Sequence, residues 1–400
     1  MSAVSERINR LSESATLAMT SRSLELKQQG KDVINLSIGE PDFNTPGFIK
    51  DAAKKALDEN FTHYTAVAGI LALREAICEK LKRDNNLTYT PAQIVVSTGA
   101  KQALANTLLA LVNPGEEVIV PVPFWVSYSE MIKLAEGKAV YINAGIEHDF
   151  KITPKQLEEA ITPNTKVVMF NSPCNPSGSV YNKKEMSDLA DVIAKYPQVY
   201  VISDEIYEHI IFEGKHESFG QFENIKDRTI IINGVSKGFA MTGWRLGFLA
   251  APLEIAKACN KMQGQFTSAT SSISQKAAIP AFKADPTTTP ELLEMVKKFR
   301  ERRDLLLSLL NEVPGIKTNI PNGAFYLFPD VTSFYGKTDG TVTINNGNDL
   351  CMYLLAKTFV ALVPGSAFGD DNCIRLSYAT SEENLKEAMR RISKALAELK

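Results

Sequence analysis

The stretch "TIIINGVSKGFAMTGWRLGFLA", residues 229–250, joins two apolar runs through a segment that carries Lys237 and Arg245. The runs at 229–233 and 246–250 are short and uninterrupted, which is typical of strands buried in a sheet. A charged side chain is costly to surround with apolar groups unless something pairs with it. Gly, Met, Thr, Trp and Phe are the neighbours of these two cations in the sequence. The stretch therefore predicts a sheet edge at which Lys237 and Arg245 have a binding partner other than water.

The rest of the chain repeats this pattern and predicts an α/β fold. Amphipathic helical patterns, such as Ile70, Leu73, Ile77 and Leu81 at intervals of three and four residues, separate the apolar runs. This alternation favours βα units around a mainly parallel sheet. The predicted strands are IVVS (94–97), EVIVP (117–121), KVVMF (166–170), VYVIS (199–203), TIIIN (229–233) and LGFLA (246–250).

A second region begins near residue 290 with the amphipathic pattern "PELLEMVKKFRERRDLLLSLLNEV". It continues through the apolar runs "AFYLFPD", "FVALVPG" and "CIRLSYA" and ends in a helix that a Thr380–Glu383 capping box opens. We interpret it as a smaller α+β domain that the N-terminal segment completes. The sequence thus predicts a large domain over residues 48–289 and a small domain formed by residues 1–47 and 290–400.

The composition narrows the function classes. With 44% hydrophobic and 22% charged residues in 400, the chain is ordinary for a soluble globular protein. Its net charge of -2 offers no basic field to nucleic acid. Neither a secretory signal nor a membrane span is expected, because the chain lacks the apolar runs that each requires. Five scattered cysteines and four histidines without metal-ligand spacing predict reduced thiols, a cytoplasmic location and no metal site.

Polar residues follow four of the predicted strands, at the edge where parallel sheets bind ligands. The turn at 98–101 would offer backbone N–H groups to a phosphate, although by itself a ligand-free tight turn is favoured. The Asn-rich loop at 171–178, Asp204 with Tyr207, and Lys237 follow the other strands, and Asp204 also fits a helix N-cap. A lysine in a dry pocket becomes a nucleophile toward carbonyls, and an acid can pair with a pyridinium nitrogen. Together these groups indicate pyridoxal 5'-phosphate (PLP).

Motifs over nearly the whole chain support this interpretation. They are, in order, "GEPDFNTP", "HYTAVAGILALREAI", "STGAKQAL", "NSPCNPSG", "SDEIYE", "SKGFAMTGWRLG", "NGAFY", "VPGSAFG" and "IRLSYATSEENL". The sequence resembles the class I aminotransferases, which are PLP-dependent enzymes of fold-type I, and in detail their bacterial aspartate aminotransferase subgroup. The resemblance implies a large domain with a mostly parallel seven-stranded sheet between helices, a smaller α+β domain, and a homodimer with shared active sites.

The resemblance implies that five residues bind the cofactor and that three of them, Lys237, Asp204 and Tyr207, are also catalytic. Lys237 bonds covalently to PLP and then becomes the base that moves a proton between the substrate and the cofactor. Asp204 pairs with the pyridine nitrogen and keeps the ring an electron sink. Tyr207 and Asn175 hydrogen-bond the ring oxygen, while Trp125 stacks on the ring and borders the substrate.

Further residues are implied at the phosphate of PLP. Gly99 and Ala100 supply backbone amides, Ser236 supplies a hydroxyl, and Arg245 supplies a bidentate guanidinium. Tyr64 reaches the phosphate of the neighbouring subunit, which is why the active sites are shared.

For the substrate, the resemblance implies that Arg375 grips the α-carboxylate, with Gly39 and Asn175 assisting. Lys101, which also belongs to the cofactor-binding turn, binds the side-chain carboxylate together with Thr16 from the partner subunit. A merely solvated Lys101 is disfavoured, because helix N-termini repel cations. These residues favour a dicarboxylic substrate.

The predicted reaction transfers an amino group from L-aspartate to 2-oxoglutarate by a ping-pong mechanism. The alternative is an aminotransferase for prephenate, aromatic or varied substrates. A PLP-dependent C–S lyase or decarboxylase is disfavoured, since neither needs to recognise two acids in turn. A PLP-dependent regulator is disfavoured, because it would need a DNA-binding module ahead of "INLSIGEPDF". An inactive relative is disfavoured, because it would lack Lys237 or Asp204 and both residues are present. Gly238 departs from the Ala, Ser or Thr common in related enzymes and is expected to loosen the lysine loop slightly.

Overall fold

The computed structural model of the chain describes residues 3–400, which form one large sheet, two small sheets and the helices around them. The strands are β1 Ile34–Asn35, β2 Ile94–Ser97, β3 Glu117–Val122, β4 Lys138–Asn143, β5 Thr165–Asn171, β6 Tyr200–Asp204, β7 Thr229–Gly234, β8 Gly247–Ala250, β9 Tyr326–Leu327, β10 Val360–Ala361, β11 Val363–Pro364 and β12 Ile374–Ser377. The α-helices are α1 Glu6–Asn9, α2 Ala15–Gln28, α3 Gly47–Asp58, α4 Leu71–Asn85, α5 Ala100–Leu111, α6 Ser127–Leu134, α7 Pro154–Ala160, α8 Lys183–Ala194, α9 Leu253–Phe266, α10 Ser272–Lys283, α11 Pro290–Asn311, α12 Gly347–Thr358 and α13 Glu382–Ala397.

The large sheet has seven strands in the order β2-β8-β7-β6-β5-β3-β4. Strand β8 runs antiparallel to both β2 and β7, and the other pairs are parallel. Every residue of β7 and β8 is buried, as is typical of a sheet covered on both faces. Because Gly234 pairs with Gly247 in this antiparallel pair, Lys237 and Arg245 both lie at one edge of the sheet.

All six predicted strands are present in this sheet, and the seventh, β4, was missed. Strand β4 lies at the end of the sheet and pairs with β3 alone. Of its residues only Ile142 is buried, so its sequence "KAVYIN" lacks the continuous apolar run that marks the inner strands. Burial on both faces, rather than strand propensity, is what made the others visible.

The predicted helical pattern before β2 forms α4. Leu73, Ile77 and Leu81 are fully buried in the core between this helix and the sheet, where Ile94 and Phe248 also lie. The other helical segment that positions the site is α5, which begins directly after the turn that follows β2. Its start therefore lies at the same edge of the sheet as the end of β7.

Residues after 290 build a smaller unit around α11, α12 and α13. It contains the antiparallel sheet β11-β12-β9 and the parallel pair β1–β10, in which Ile34 lies opposite Val360. Ile34 and Leu36 share a core with residues of this C-terminal unit, which supports the predicted contribution of the N-terminal segment. The boundaries at 48–289 and at 1–47 with 290–400 stay a prediction, and residues 1 and 2 lie outside the described residues.

The predicted capping box of the last helix is wrong. Ser381, rather than Thr380, is the N-cap of α13, and its Oγ accepts a hydrogen bond from the backbone N–H of Asn384 at 3.2 Å. Thr380 instead accepts a hydrogen bond from the Asn384 side chain. Both hydroxyl residues precede an acidic first turn, so spacing alone did not distinguish them.

Two further expectations concern membranes and metals. Within residues 3–400 no helix is long and apolar enough to cross a membrane. One cluster, Glu205, Glu208 and His216, has the spacing of a metal site. The Lys80 ammonium makes an ion pair with Glu208 in this cluster and so provides a positive charge without a metal ion. The expectation of no metal site stays a prediction.

Candidate active site

A cavity of about 400 Å³ lies at the edge of the large sheet where β5, β6 and β7 end. The C-terminal unit closes the cavity from the other side with Tyr326 and Arg375. It brings together residues that are more than 350 positions apart in the sequence. The predicted site residues that line it are Thr16, Gly39, Ala100, Lys101, Trp125, Asn175, Asp204, Tyr207, Ser236, Lys237, Arg245 and Arg375.

Lys237 lies in the cavity, three residues after β7 ends. Burial lowers the pKa of its amine from 10.5 to about 8, and the nearby Glu40 carboxylate opposes this shift. Its Nζ donates a hydrogen bond to the backbone carbonyl of Gly39. The lowered pKa increases the neutral fraction of the amine at pH 7 by about two orders of magnitude, which makes Lys237 available as a nucleophile and as a base.

Asp204 is the last residue of β6 and is 4% exposed. Burial raises the pKa of its carboxyl from 3.8 to about 6. Tyr128 on α6 donates a hydrogen bond to its Oδ2 at 2.7 Å, and the backbone N–H of Ile206 donates to Oδ1 at 3.3 Å. Both donors favour the ionised form, so the carboxyl is held ready for a cation. Tyr128 was not predicted.

Tyr207 lies at the centre of a buried group of hydroxyls and rings. Its Oη is 2.9 Å from the Oη of Tyr326, a second residue that was not predicted. The Lys237 ammonium lies 5.8 Å from the centre of the Tyr207 ring. Tyr207 therefore links the lysine to the C-terminal half of the cavity.

Arg375 enters the cavity from β12 and is 2% exposed. Its Nη1 donates to Oδ1 of Asn175 at 2.9 Å, and its Nη2 donates to the backbone carbonyl of Ser37 at 2.7 Å. The rings of Tyr326 and Phe368 lie 4.5 Å and 4.9 Å from the guanidinium carbon. Its buried Nε has no hydrogen-bond partner within residues 3–400. A buried guanidinium with neutral neighbours and an unused donor is suited to an anion.

The turn before α5 forms the opposite end of the cavity. Gly99 has a φ of +80°, and a Cβ there would lie 2.5 Å from Nη2 of Arg245. The positive φ therefore favours glycine, and the missing side chain leaves room for the guanidinium close to the turn. Ala100 begins the 12-residue helix α5, and the buried Ser236 lies beside Lys237. Backbone N–H groups at a helix N-terminus, a hydroxyl and a guanidinium form the donor set that binds phosphate.

Lys101 lies in the first turn of α5 and lines the cavity. Its Nζ is 4.8 Å from the centre of the Trp125 ring. Partial loss of hydration beside the cavity wall and the positive charge of Arg245 both lower the pKa of this lysine. An anion near Lys101 would offset both effects, so Lys101 is a further candidate anion-binding position besides Arg375 and the turn with Arg245.

Thr16 corrects one prediction, because it lines the cavity of its own chain rather than that of a partner subunit. The reason is the packing of α2. Met19 of that helix packs against Leu355 and Ala361 of the C-terminal unit. The N-terminus of α2 is thereby held over the same chain's cavity.

Two predicted residues lie away from the cavity lining. Gly99 belongs to the turn at one end of the cavity and lies close to Arg245, but it does not itself line the cavity. Tyr64 is 98% exposed and does not line the cavity of its own chain. Its predicted contact with a neighbouring subunit stays a prediction.

Comparison with known proteins assigns the chain to a family. The family model described as aminotransferase class I and II matches residues 31–392. The chain belongs to this aminotransferase family. It is 49% identical over 399 residues to the bifunctional aspartate aminotransferase and glutamate/aspartate-prephenate aminotransferase of Petunia hybrida, covering 99% of this chain and 83% of that protein. It is 45% identical over 400 residues to the aspartate/prephenate aminotransferase of Nitrosomonas europaea, covering 98% and 100%.

Solved structures agree with the family assignment. The aspartate aminotransferase from Rhizobium meliloti superimposes with a TM-score of 0.96 at 42% identity, and all of both chains is covered. The aspartate aminotransferase from Thermus thermophilus with maleate gives 0.92 at 40% identity, covering 99% of this chain and 100% of that chain. The predicted fold and the predicted aminotransferase activity are thus confirmed.

Proposed function

We propose that this aminotransferase uses PLP to move the amino group of L-aspartate to 2-oxoglutarate, giving oxaloacetate and L-glutamate. The observation that carries the proposal is a nucleophilic lysine between a buried acid and two anion-binding cations. Lys237 and Asp204 supply the groups that hold a PLP ring, while Arg375 and Lys101 supply partners for two carboxylates. A ping-pong cycle follows, because donor and acceptor acids would use the same two cations in turn.

The chemistry of the residues fits PLP. The Asp204 carboxyl is buried with neutral hydrogen-bond partners, and a protonated pyridine nitrogen is the cation that it lacks. At the other end, Gly99, Ala100, Ser236 and Arg245 match a phosphate. The close approach of Gly99 to Arg245 supports this match, since a Cβ would fill the cradle.

Bound PLP supplies a conjugated ring that accepts the electron pair of the donor's Cα–H bond. With the cofactor bound, the neutral Nζ of Lys237 would take the proton from the substrate Cα and deliver it to the C4′ carbon of the cofactor. Asp204 keeps the ring nitrogen protonated, and Tyr207 donates a hydrogen bond to the ring oxygen. Asn175 accepts from Arg375 through Oδ1, so its Nδ2 is the atom that can donate. Trp125 covers the ring and excludes water.

The substrate class follows from the two cations. Arg375 binds the α-carboxylate with Gly39 beside it, and Lys101 binds the side-chain carboxylate with Thr16 above it. The second candidate substrate is prephenate or an aromatic amino acid. Leu17 and Leu104 favour it, because they add apolar surface to the cavity lining.

A homodimer with shared active sites completes the proposal. Tyr64 is almost fully exposed although tyrosine rings gain from burial, and Leu71 and Phe266 are also exposed. A second subunit would cover such exposed side chains and place Tyr64 at the phosphate of its neighbour.

The test is to load the purified protein with PLP and to follow its visible absorbance while single amino acids are added. When aspartate or glutamate is added, the absorbance of the lysine-bound cofactor is expected to be replaced by that of the aminated cofactor. If neither acid changes the spectrum while an aromatic donor does, the second candidate is correct. If Lys237→Ala retains full activity, the proposed role of the lysine is wrong.

A further inference from the structure

Tyr326 occupies a position that the proposed roles do not explain. It is fully buried on β9, and its Oη is 2.9 Å from that of Tyr207. Its ring lies under the Arg375 guanidinium at 4.5 Å. A Cβ added to Gly39 would lie 2.9 Å from the Tyr326 hydroxyl, so this hydroxyl also borders the place proposed for the α-carboxylate. One hydroxyl thus contacts Tyr207 and adjoins the anion site.

The hydroxyls of Tyr207 and Tyr326 share two hydrogens. Burial raises the pKa of both groups above 10, so each keeps its hydrogen at neutral pH. Either oxygen can be the donor of the 2.9 Å hydrogen bond. When Tyr326 donates, the hydrogen of Tyr207 is available elsewhere. When Tyr207 donates, the hydrogen of Tyr326 is the available one. The pair therefore has two arrangements with hydrogens pointing to opposite ends.

We propose that Tyr326 is a positioning residue that couples carboxylate binding at Arg375 to the hydrogen bond between Tyr207 and the cofactor. In the unliganded site Tyr326 donates to Tyr207, and Tyr207 donates to the ring oxygen of PLP. A carboxylate at Arg375 accepts the hydrogen of Tyr326, and Tyr207 then turns its hydrogen toward Tyr326. The inference rests on the proposed PLP function.

The coupling has a defined sign. Loss of the Tyr207 donor leaves more negative charge on the ring oxygen, which raises the pKa of the nitrogen that joins Lys237 to the cofactor. The bound anion raises the same pKa through its own charge, so the relay must be measured as a difference between variants. The charged or titratable groups that face the pair and the lysine are Asp204, Glu40, Arg245, Arg375 and Lys237.

The experiment titrates the visible absorbance of the PLP-loaded protein with pH, with and without saturating succinate, a dicarboxylate that has no amino group to transfer. The variants are Tyr326→Phe and, as a matched control, Tyr378→Phe. Tyr378 is also fully buried, but its hydroxyl donates only a 3.4 Å bond to the carbonyl of Ala324 and does not line the cavity.

Succinate is expected to raise the pH midpoint of the absorbance titration by the same amount in the wild type and in Tyr378→Phe. In Tyr326→Phe the rise should be smaller by about one pH unit, the worth of one hydrogen bond to a charged group. An undiminished rise would overturn the inference and leave the PLP proposal standing. If the wild type shows no pH-dependent visible absorbance with PLP, the proposed function itself fails.

A second variant covers the case in which Tyr326→Phe does not fold. Tyr207→Phe breaks the same relay from the other end, so its succinate-induced rise should shrink by a similar amount. In a folded double variant, Tyr326→Phe should then add nothing to Tyr207→Phe. A full rise in Tyr207→Phe, or additive losses in the double variant, would contradict the relay.

Discussion

Asp204→Asn is expected to make the PLP-free protein more stable at pH 8 although it removes the ion pair that the proposed function requires. The reason is the buried carboxyl of Asp204. Its pKa is raised from 3.8 to about 6, chiefly by burial, and a raised pKa means that the folded state prefers the protonated form. The stability that this group contributes is fully present below about pH 4 and is lost as the pH rises through about 6.

The size of the effect follows from the shift. About two pKa units correspond to about 3 kcal/mol in the free energy of unfolding at a pH above both values. Asparagine is neutral at every pH and keeps one oxygen for the hydroxyl of Tyr128. Its NH₂ group replaces the oxygen that accepts from the backbone N–H of Ile206, which costs about 1 kcal/mol. The net gain at pH 8 is therefore about 2 kcal/mol.

The assay is urea unfolding of the PLP-free wild type and variant at pH 5 and pH 8. Asp227→Asn at an exposed position is the matched control and should change neither value. The stabilisation by Asp204→Asn should appear at pH 8 and shrink at pH 5. A variant less stable than the wild type at pH 8, or a difference that does not depend on pH, would refute the reasoning.

Three further experiments test the site. In steady-state kinetics, Lys101→Ser should lower kcat/KM for aspartate about 10²-fold but leave that for an aromatic donor unchanged, because only aspartate has a second carboxylate that pairs with Lys101. Equal losses for both donors would contradict the proposed role of Lys101. Tyr64→Ala and Lys237→Ala subunits, mixed and allowed to exchange, should recover activity, since the hybrid dimer contains one intact site; no recovery would place Tyr64 outside the neighbour's site. Gly238→Ala should lower the thermal unfolding midpoint, because its Cβ would lie 2.6 Å from Cδ2 of His209, and a further His209→Ala substitution should restore much of the loss. An unchanged midpoint in Gly238→Ala would refute the steric argument.

The parts of the fold that could be predicted are those in which burial requires a recognisable pattern of apolar residues. The inner strands of the large sheet are continuous apolar runs because helices cover both faces, whereas the partly exposed edge strand β4 carries no such run. Asp204 and Lys237 could be found for a related reason, since the first is the charged last residue of a buried strand and the second follows a buried strand by three residues. The division into domains, the cytoplasmic location and the individual residue roles stay predictions.

Contacts between distant elements could not be predicted in the same way. Tyr128 reaches Asp204 across 76 positions, and Tyr326 reaches Tyr207 across 119. An aromatic residue in an apolar segment looks like core, and nothing in the local pattern marks its hydroxyl as a partner. Thr16 was assigned to the wrong subunit for the same reason, because its place depends on the packing of Met19 against the C-terminal unit.

The three charges at the centre of the cavity share one property that explains why it binds ligands. Asp204 accepts from a tyrosine and a backbone amide, Lys237 donates to a backbone carbonyl, and Arg375 donates to an amide side chain and a carbonyl. These partners are all neutral, so each charge is oriented but not neutralised, and burial shifts the pKa of each toward its uncharged form. Keeping these buried charges without charged partners destabilises the empty protein, and a ligand of opposite charge removes that cost. The same oriented charges that favour ligand binding therefore also stabilise the charges that develop during the reaction.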